Sequence, residues 1–281
     1  MRRIPEQLGS LTLGRQIGLG RHCQVWDALD RSSGQRMAVK VLVPEMAGDA
    51  GQRRLLRHEA AVGRSLDHPA IIRIDGFSEA GGLPHLVMEL YPQPSLRKQI
   101  AAGTDGIAAR LHRIVTQVAW ALDHMHGRGW VHRDVKPENV LASPEGEVKL
   151  IDLAIAARPP GMVGRLLARR ATAQGSPSYI APEQLRGLPA DPRSDIYSLG
   201  CMLFELIAGT PPFTASTTED LYHKHLSAAP PAVENFNRNA TSSVSKLIRA
   251  MLAKRATDRP TTMREVVQQI GAIKFVNRVP E

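Results

Sequence analysis

The stretch Val131-His132-Arg133-Asp134-Val135-Lys136-Pro137-Glu138-Asn139-Val140-Leu141 sets six polar or charged side chains among apolar residues, after a long helical pattern. A loop with only a structural role has no reason to carry that density of charge. Thirteen residues after Asn139, the apolar run Val148-Lys149-Leu150-Ile151 ends in Asp152. Well upstream, Ile17-Gly18-Leu19-Gly20 lies between two strand-like runs. Fifteen residues beyond Val25, Ala38-Val39-Lys40 places a lysine in an apolar strand. Glycines let backbone N–H groups approach phosphates without an intervening side chain. A lysine in an apolar strand needs an anion or a route to water, and Glu59 follows on a helical segment. Singly, each piece has a plainer reading: two glycines in a hairpin make a turn, and Lys40 with Glu59 makes a structural ion pair. In this order they fit one reaction. Phosphoryl transfer requires cations to neutralise phosphates, ligands to hold those cations, and a carboxylate to orient the attacking hydroxyl. Lys40, Asn139, Asp152 and Asp134 supply that set.

The elements that must position these residues change character near residue 91. Before it the pattern is strand-rich, with strands expected at 11–13, 25–29 and 37–43 and shorter ones near 71–77 and 85–88. Arg31-Ser32-Ser33-Gly34 is a hairpin signal, and one helix is expected at about 52–66, ended by Pro69. From Pro94 onward helices dominate. Ala108–His126 carries a long apolar stripe, and Tyr197–Ala208 is apolar on nearly all sides, so it should run through the core. Further helices are expected at 217–226, 241–253 and 262–271. The fold class is therefore α+β, with residues 1–91 as a small β-rich lobe and residues 92–281 as a larger helical one.

Bulk properties remove several alternatives. An apolar content of 43% in 281 residues suits a globular chain with a sizeable core. No apolar run approaches the ~18 residues of a membrane span, and the opening Met1-Arg2-Arg3-Ile4-Pro5-Glu6 is not a signal peptide. Two cysteines, Cys23 and Cys201, stand far apart without metal-ligand spacing, which reads as a reduced, cytoplasmic setting. The net charge of +9 falls mostly after residue 91. With only 4% aromatics and no basic helix interleaved with them, it reads as a positive surface rather than a nucleic-acid site.

The set of motifs resembles the protein-kinase family, in particular its bacterial eukaryotic-like (Hanks-type) Ser/Thr branch, from about Leu11 to Ile270. The resemblance implies a two-lobed kinase fold and an enzyme that moves the γ-phosphate of ATP, with Mg²⁺ or Mn²⁺, onto protein Ser/Thr hydroxyls. It assigns Ile17, Gly18 and Gly20 to the phosphate loop, and pairs Lys40 with Glu59 to hold the α and β phosphates. Val25, Ala38 and Leu141 would sandwich the adenine. Glu89 and Tyr91 would offer backbone groups to its edge, with Met88 as gatekeeper. Asp134 becomes the catalytic base, Lys136 steadies the γ-phosphate, and Asn139 and Asp152 hold the metal ions. Gly175-Ser176-Pro177 through Ala181-Pro182-Glu183 resembles the substrate-docking loop, with Arg259 as the structural partner of Glu183. That loop argues for a protein substrate.

Departures matter too. Cys23 stands where the third glycine of the phosphate loop is usual, and Ala154 where a glycine follows Asp152-Leu153. These two favour the alternative of a nucleotide-holding pseudokinase scaffold, against which the full set of Lys40, Glu59, Asp134, Asn139 and Asp152 speaks. Cys23 reads as a small apolar filler, or as an oxidisable thiol near the phosphates. Gly63, one turn past Glu59, leaves that helix short of an apolar anchor against Leu153 and predicts a mobile helix. His22, His124 and His126 read as surface or packing residues. Between Asp152 and Ser176 the one hydroxyl is Thr172, among Arg158, Arg165, Arg169 and Arg170. A phosphate on Thr172 would give these arginines, and Arg133 beside the base, something to grip. In related kinases a glutamate at the position of Glu138 contacts a substrate arginine. The expectation is trans-autophosphorylation at Thr172 through transient self-association, and protein substrates with basic residues upstream of the acceptor.

Overall fold

The computed structural model describes residues 4–160 and 174–278. Thr172 and its neighbouring arginines Arg165, Arg169 and Arg170 lie outside the described residues. By contacts the chain divides into two units: Met1–Pro92 with Asp152–Ala154, and Gln93–Ile151 with Ile155–Glu281.

The first unit is an antiparallel sheet of β1 (Gln7–Leu8), β2 (Leu11–Leu19), β3 (Cys23–Asp30), β4 (Arg36–Leu42), β5 (Ile74–Ala80) and β6 (Leu83–Glu89), in the order β1-β2-β3-β4-β6-β5. The expected turn between β3 and β4 is present, tied by Asp30, whose carboxylate accepts from Ser32 Oγ at 2.8 Å and Ser33 Oγ at 2.9 Å. Leu11, Leu13, Ala28, Val39 and Val41 form an apolar cluster on one side of the sheet. Helix α1 (Ala50–Arg64) packs on β5 and β6. It begins two residues before the expected 52, because the Asp49 side chain accepts from Gln52 N at 2.8 Å and caps it.

The second unit is helical: α2 (Leu96–Ala101), α3 (Asp105–Ala108), α4 (Leu111–Gly127), α5 (Pro182–Leu185), α6 (Pro192–Ala208), α7 (Thr218–Ser227), α8 (Ser242–Met251) and α9 (Met263–Gly271), with a hairpin of β7 (Val140–Ala142) and β8 (Val148–Leu150). Helix α6 starts five residues earlier than its apolar run. Asp191 caps it through Arg193 N, and Pro192 suits the first helical position. From Ser194 to Ile207 every residue is buried, and a Cβ on Gly200 would meet Met251 Cβ at 2.9 Å, so α6 and α8 touch closely there. Thr217, Thr241 and Thr262 each cap the following helix through the N–H three residues on, at 3.1–3.2 Å. Among the described residues no helix is long and apolar enough to cross a membrane.

Candidate active site

In the first unit the cross-strand register decides which residues face together. Lys40 stands opposite Val25 and Leu86, and Ala38 opposite Met88. Opposed residues share a face, and every second residue returns to it. Val25, Ala38, Lys40 and Met88 therefore line one face. Lys40 Nζ donates to Glu59 Oε1 at 3.0 Å and Oε2 at 2.8 Å, and to Asp152 Oδ1 at 3.3 Å. Burial works against both members of the pair. It pushes the Glu59 carboxyl up, opposed by Lys40. For Lys40 burial is outweighed by Glu59 and Asp152, which hold the ammonium well above its ordinary value. Lys40 is thus a fixed positive charge. Asp152 has φ of +66°, costly for a residue with a Cβ and seen mostly where a local arrangement enforces it. The Gly18 to Gly20 turn closes with Gly20 N donating to Cys23 O at 2.9 Å. Burial pushes the Cys23 thiol up to about 11, only partly offset by Lys40. This argues against the oxidisable-thiolate reading of Cys23. Glu89 donates its N–H to Arg73 O at 2.9 Å, and Tyr91 follows just after β6.

Ile74, rather than a residue of α1, takes the space that a side chain at 63 would use.

In the second unit the loop 131–139 is organised from behind by Asp195, at 0% exposure. Its carboxylate accepts from His132 N at 2.9 Å and Arg133 N at 2.8 Å, and meets His126 Nε2 at 2.8 Å. Burial raises its pKa, but these hydrogen bonds, His126 first, hold it below the usual carboxylate range. The two backbone N–H bonds fix a turn in which Arg133 takes φ of +70°. Asp134 is thereby presented to its own partners. Its Oδ2 accepts from Lys136 Nζ at 2.6 Å and Asn139 Nδ2 at 3.1 Å, and its Oδ1 from Ser176 N at 2.9 Å. Lys136 also donates to Ser176 Oγ at 2.6 Å. Asn139 Nδ2 further donates to the Asp134 carbonyl at 2.9 Å, so what its side chain has left to offer is a carbonyl oxygen. Leu141 is half-buried on β7, opposite Lys149.

The Arg133 guanidinium reaches Gln174 Oε1 at 3.3 Å and Ile155 O at 3.4 Å. Its Nε has no hydrogen-bond partner among the described residues, and burial lowers its pKa. Glu138 accepts from Arg97 Nε at 2.8 Å. Glu183 and Arg259 form a two-point buried pair at 2.7 and 2.9 Å, joined by Ser194 Oγ at 2.7 Å.

Sequence reasoning gave Asp195 no role beyond the resemblance of its segment to the start of a buried helix, and it missed Gln184 and Arg97. His126 was expected as surface or packing and instead meets the buried Asp195. A carboxylate entering an apolar helix was the available signal, but its partners lie more than sixty residues away. Gln184 Nε2 donates to Arg133 O and Gln174 O, both at 2.9 Å, and nothing local marks it.

Comparison with known proteins agrees with this geometry. The family model of the protein kinase domain matches residues 11–270. A probable serine/threonine-protein kinase of Streptomyces coelicolor is 32% identical over 255 residues, covering 89% of this chain and 38% of that protein. The serine/threonine-protein kinase PknB of Mycolicibacterium smegmatis is 34% identical over 260 residues, covering 90% of this chain and 41% of that protein. PknB of Mycobacterium tuberculosis is 33% identical over 258 residues, with 90% and 41% covered. The chain thus spans about two fifths of the length of these relatives. With nearly its whole length matched by the family model, the chain belongs to the protein kinase domain family.

Proposed function

We propose that this chain transfers the γ-phosphate of ATP to serine and threonine hydroxyls of proteins. The observation that carries the reading is the convergence of Lys136 and Asn139 on the Asp134 carboxylate. In that reading Asp134 accepts the proton as the substrate hydroxyl attacks the γ-phosphorus. The new O–P bond forms as the bond to the β-phosphate bridging oxygen breaks, and ADP leaves. Lys136 neutralises charge on the transferred group, and Lys40, oriented by Glu59, neutralises the α and β phosphates. Gly18 and Gly20, with Ile17, cover the phosphates. Val25, Ala38, Met88 and Leu141 hold the adenine, and the backbones of Glu89 and Tyr91 read its edge.

Asn139 and Asp152 offer a carbonyl and a carboxylate oxygen, the hard donors that Mg²⁺ or Mn²⁺ takes. Such an ion, when bound, neutralises developing charge on the phosphate oxygens. Residues 1–91 then serve as the nucleotide lobe, and residues 92–281 carry the catalytic loop and the substrate-docking surface around Ser176. Thr172 is the proposed site of trans-autophosphorylation. The under-paired guanidinium of Arg133 supports it, as a group suited to a phosphate. Glu138 is the proposed reader of a basic residue upstream of the acceptor.

The test is incubation with ATP and Mg²⁺ or Mn²⁺, followed by intact-mass and peptide mass spectrometry. Asp134→Asn and Asp152→Asn should each abolish transfer while leaving the fold intact; unchanged transfer in either overturns the mechanism. Mixing active enzyme with the Asp134→Asn chain should place phosphate on Thr172 of that chain, and its absence there would remove the proposed control.

A further inference from the structure

Gly63 sits one helical turn after Glu59, so the two share the buried face of α1. Its φ is not among the positive values of this chain, so its backbone does not demand glycine. Space does. A Cβ built on Gly63 would stand 2.4 Å from Ile74 Cδ1, 2.7 Å from its Cγ1 and 2.8 Å from its Cβ. Ile74 is 4% exposed, and a β-branched side chain rooted in a strand cannot swing its own Cβ aside. It opens β5 opposite Met88, and a one-residue irregularity follows before Gly76 meets Val87. Such bulges re-aim neighbouring side chains. By register Ile74, Met88, Ala38 and Lys40 belong to one face of the sheet. The isoleucine that occupies the space beside Gly63 therefore stands on the same face as the lysine that Glu59 must reach. A second contact joins the same helix and strand, with the Arg57 guanidinium 4.7 Å from the centre of the Phe77 ring.

We propose that Ile74 is a positioning residue: its packing into the space left by Gly63 sets the depth at which α1 rests on β5, and so the reach of Glu59 to Lys40. The inference deepens the proposed function, since it takes the Lys40–Glu59 pair as the holder of nucleotide phosphates. A side chain at position 63 lifts the second half of α1 from the sheet, and the Glu59 carboxylate moves with it. The contact replaces an apolar anchor carried by the helix with one carried by the strand.

The experiment uses the full chain with Gly63→Ala, Gly63→Leu, Ile74→Ala and the double variant Gly63→Leu with Ile74→Ala. Amide hydrogen exchange of α1 is followed in nucleotide-free protein, and KM for ATP is measured beside kcat. Alanine ordinarily steadies a helix relative to glycine. Here Gly63→Ala should instead speed exchange in α1 and raise KM for ATP, each about tenfold, with a smaller change in kcat. Gly63→Leu should do more. The double variant should return toward wild type in both readings, because the leucine takes the space that Ile74 leaves. Unchanged or slower exchange in Gly63→Ala with unchanged KM overturns the proposal, as does a double variant no better than the sum of its parts. Should Gly63→Leu fail to fold, Gly63→Ala and Ile74→Ala decide the matter. A wild-type chain without phosphoryl transfer would sink the proposed function, while the exchange data would still decide the seat of α1.

Discussion

Arg97 Nε donates to Glu138 Oε1 at 2.8 Å, while another arm of the same guanidinium reaches Glu205 at 2.6 Å. Glu205 is 1% exposed and bonded also to the Tyr179 hydroxyl, which Arg97 contacts as well. The chain thus holds an arginine of its own against the carboxylate proposed to read a substrate arginine. A substrate guanidinium has to share or displace it. Arg97→Ala should raise the preference for R-R-x-T over A-A-x-T peptides about tenfold in kcat/KM, mainly through KM, equivalent to ~1.4 kcal/mol. The same variant should lower Tm, because the buried Glu205 loses its countercharge. An unchanged peptide ratio would remove Glu138 from substrate recognition.

Cys23 should be a slow thiol. Its pKa is pushed from 9.0 up to about 11 by burial, and only the thiolate reacts. At pH 8 its alkylation by iodoacetamide should run roughly 100-fold below that of an unperturbed thiol, rising until about pH 11. Rapid alkylation at pH 8 would restore the reactive reading of this residue.

The Glu183–Arg259 pair is buried at both ends, with side-chain exposures of 8% and 0%. Removing one partner strands the other charge away from water. Arg259→Ala should cost ~3–5 kcal/mol in urea unfolding. The replacement also removes Arg259 Nε from Ala253 O, and its other arm from Arg193 O, both 2.8 Å contacts. A loss under 1 kcal/mol would contradict a buried pair at this position.

His225 gives the second unit an acid sensitivity. Its ring is 0% exposed, with Nδ1 2.9 Å from the Tyr197 hydroxyl and Nε2 without a partner among the described residues. Burial, with Lys254 adding to it, lowers its pKa from 6.5 to about 4. Between those values the unfolded chain takes up a proton that the folded chain refuses. The stability contribution is therefore full above pH 6.5 and is lost as pH falls toward 4, by up to ~3 kcal/mol. Urea unfolding at pH 7 and pH 4.5 should show this loss, and His225→Phe should flatten that part of the slope. Equal slopes in the two proteins would exclude His225 as the cause.

The sequence by itself determined the fold class, the family and the order of the elements. Each of these is written in local signals: the almost wholly apolar run Met37–Val43, the apolar stripe of α4, and contiguous motifs such as His132–Asn139. Helix ends moved by a few residues where a cap such as Asp49 or Asp191 outranked the apolar pattern. What only the tertiary structure decided is which distant residues meet. Asp195 reaches back to the backbone of His132 and Arg133, Arg97 takes Glu138 and Glu205, and Ile74 fills the space of Gly63. The sequence showed Gly63 as an absence, because a missing side chain is local while its replacement comes from another strand. Exposure and charge balance follow the same rule. The shifts at Cys23 and His225 arise from burial by residues far along the chain, and no spacing along the sequence encodes them.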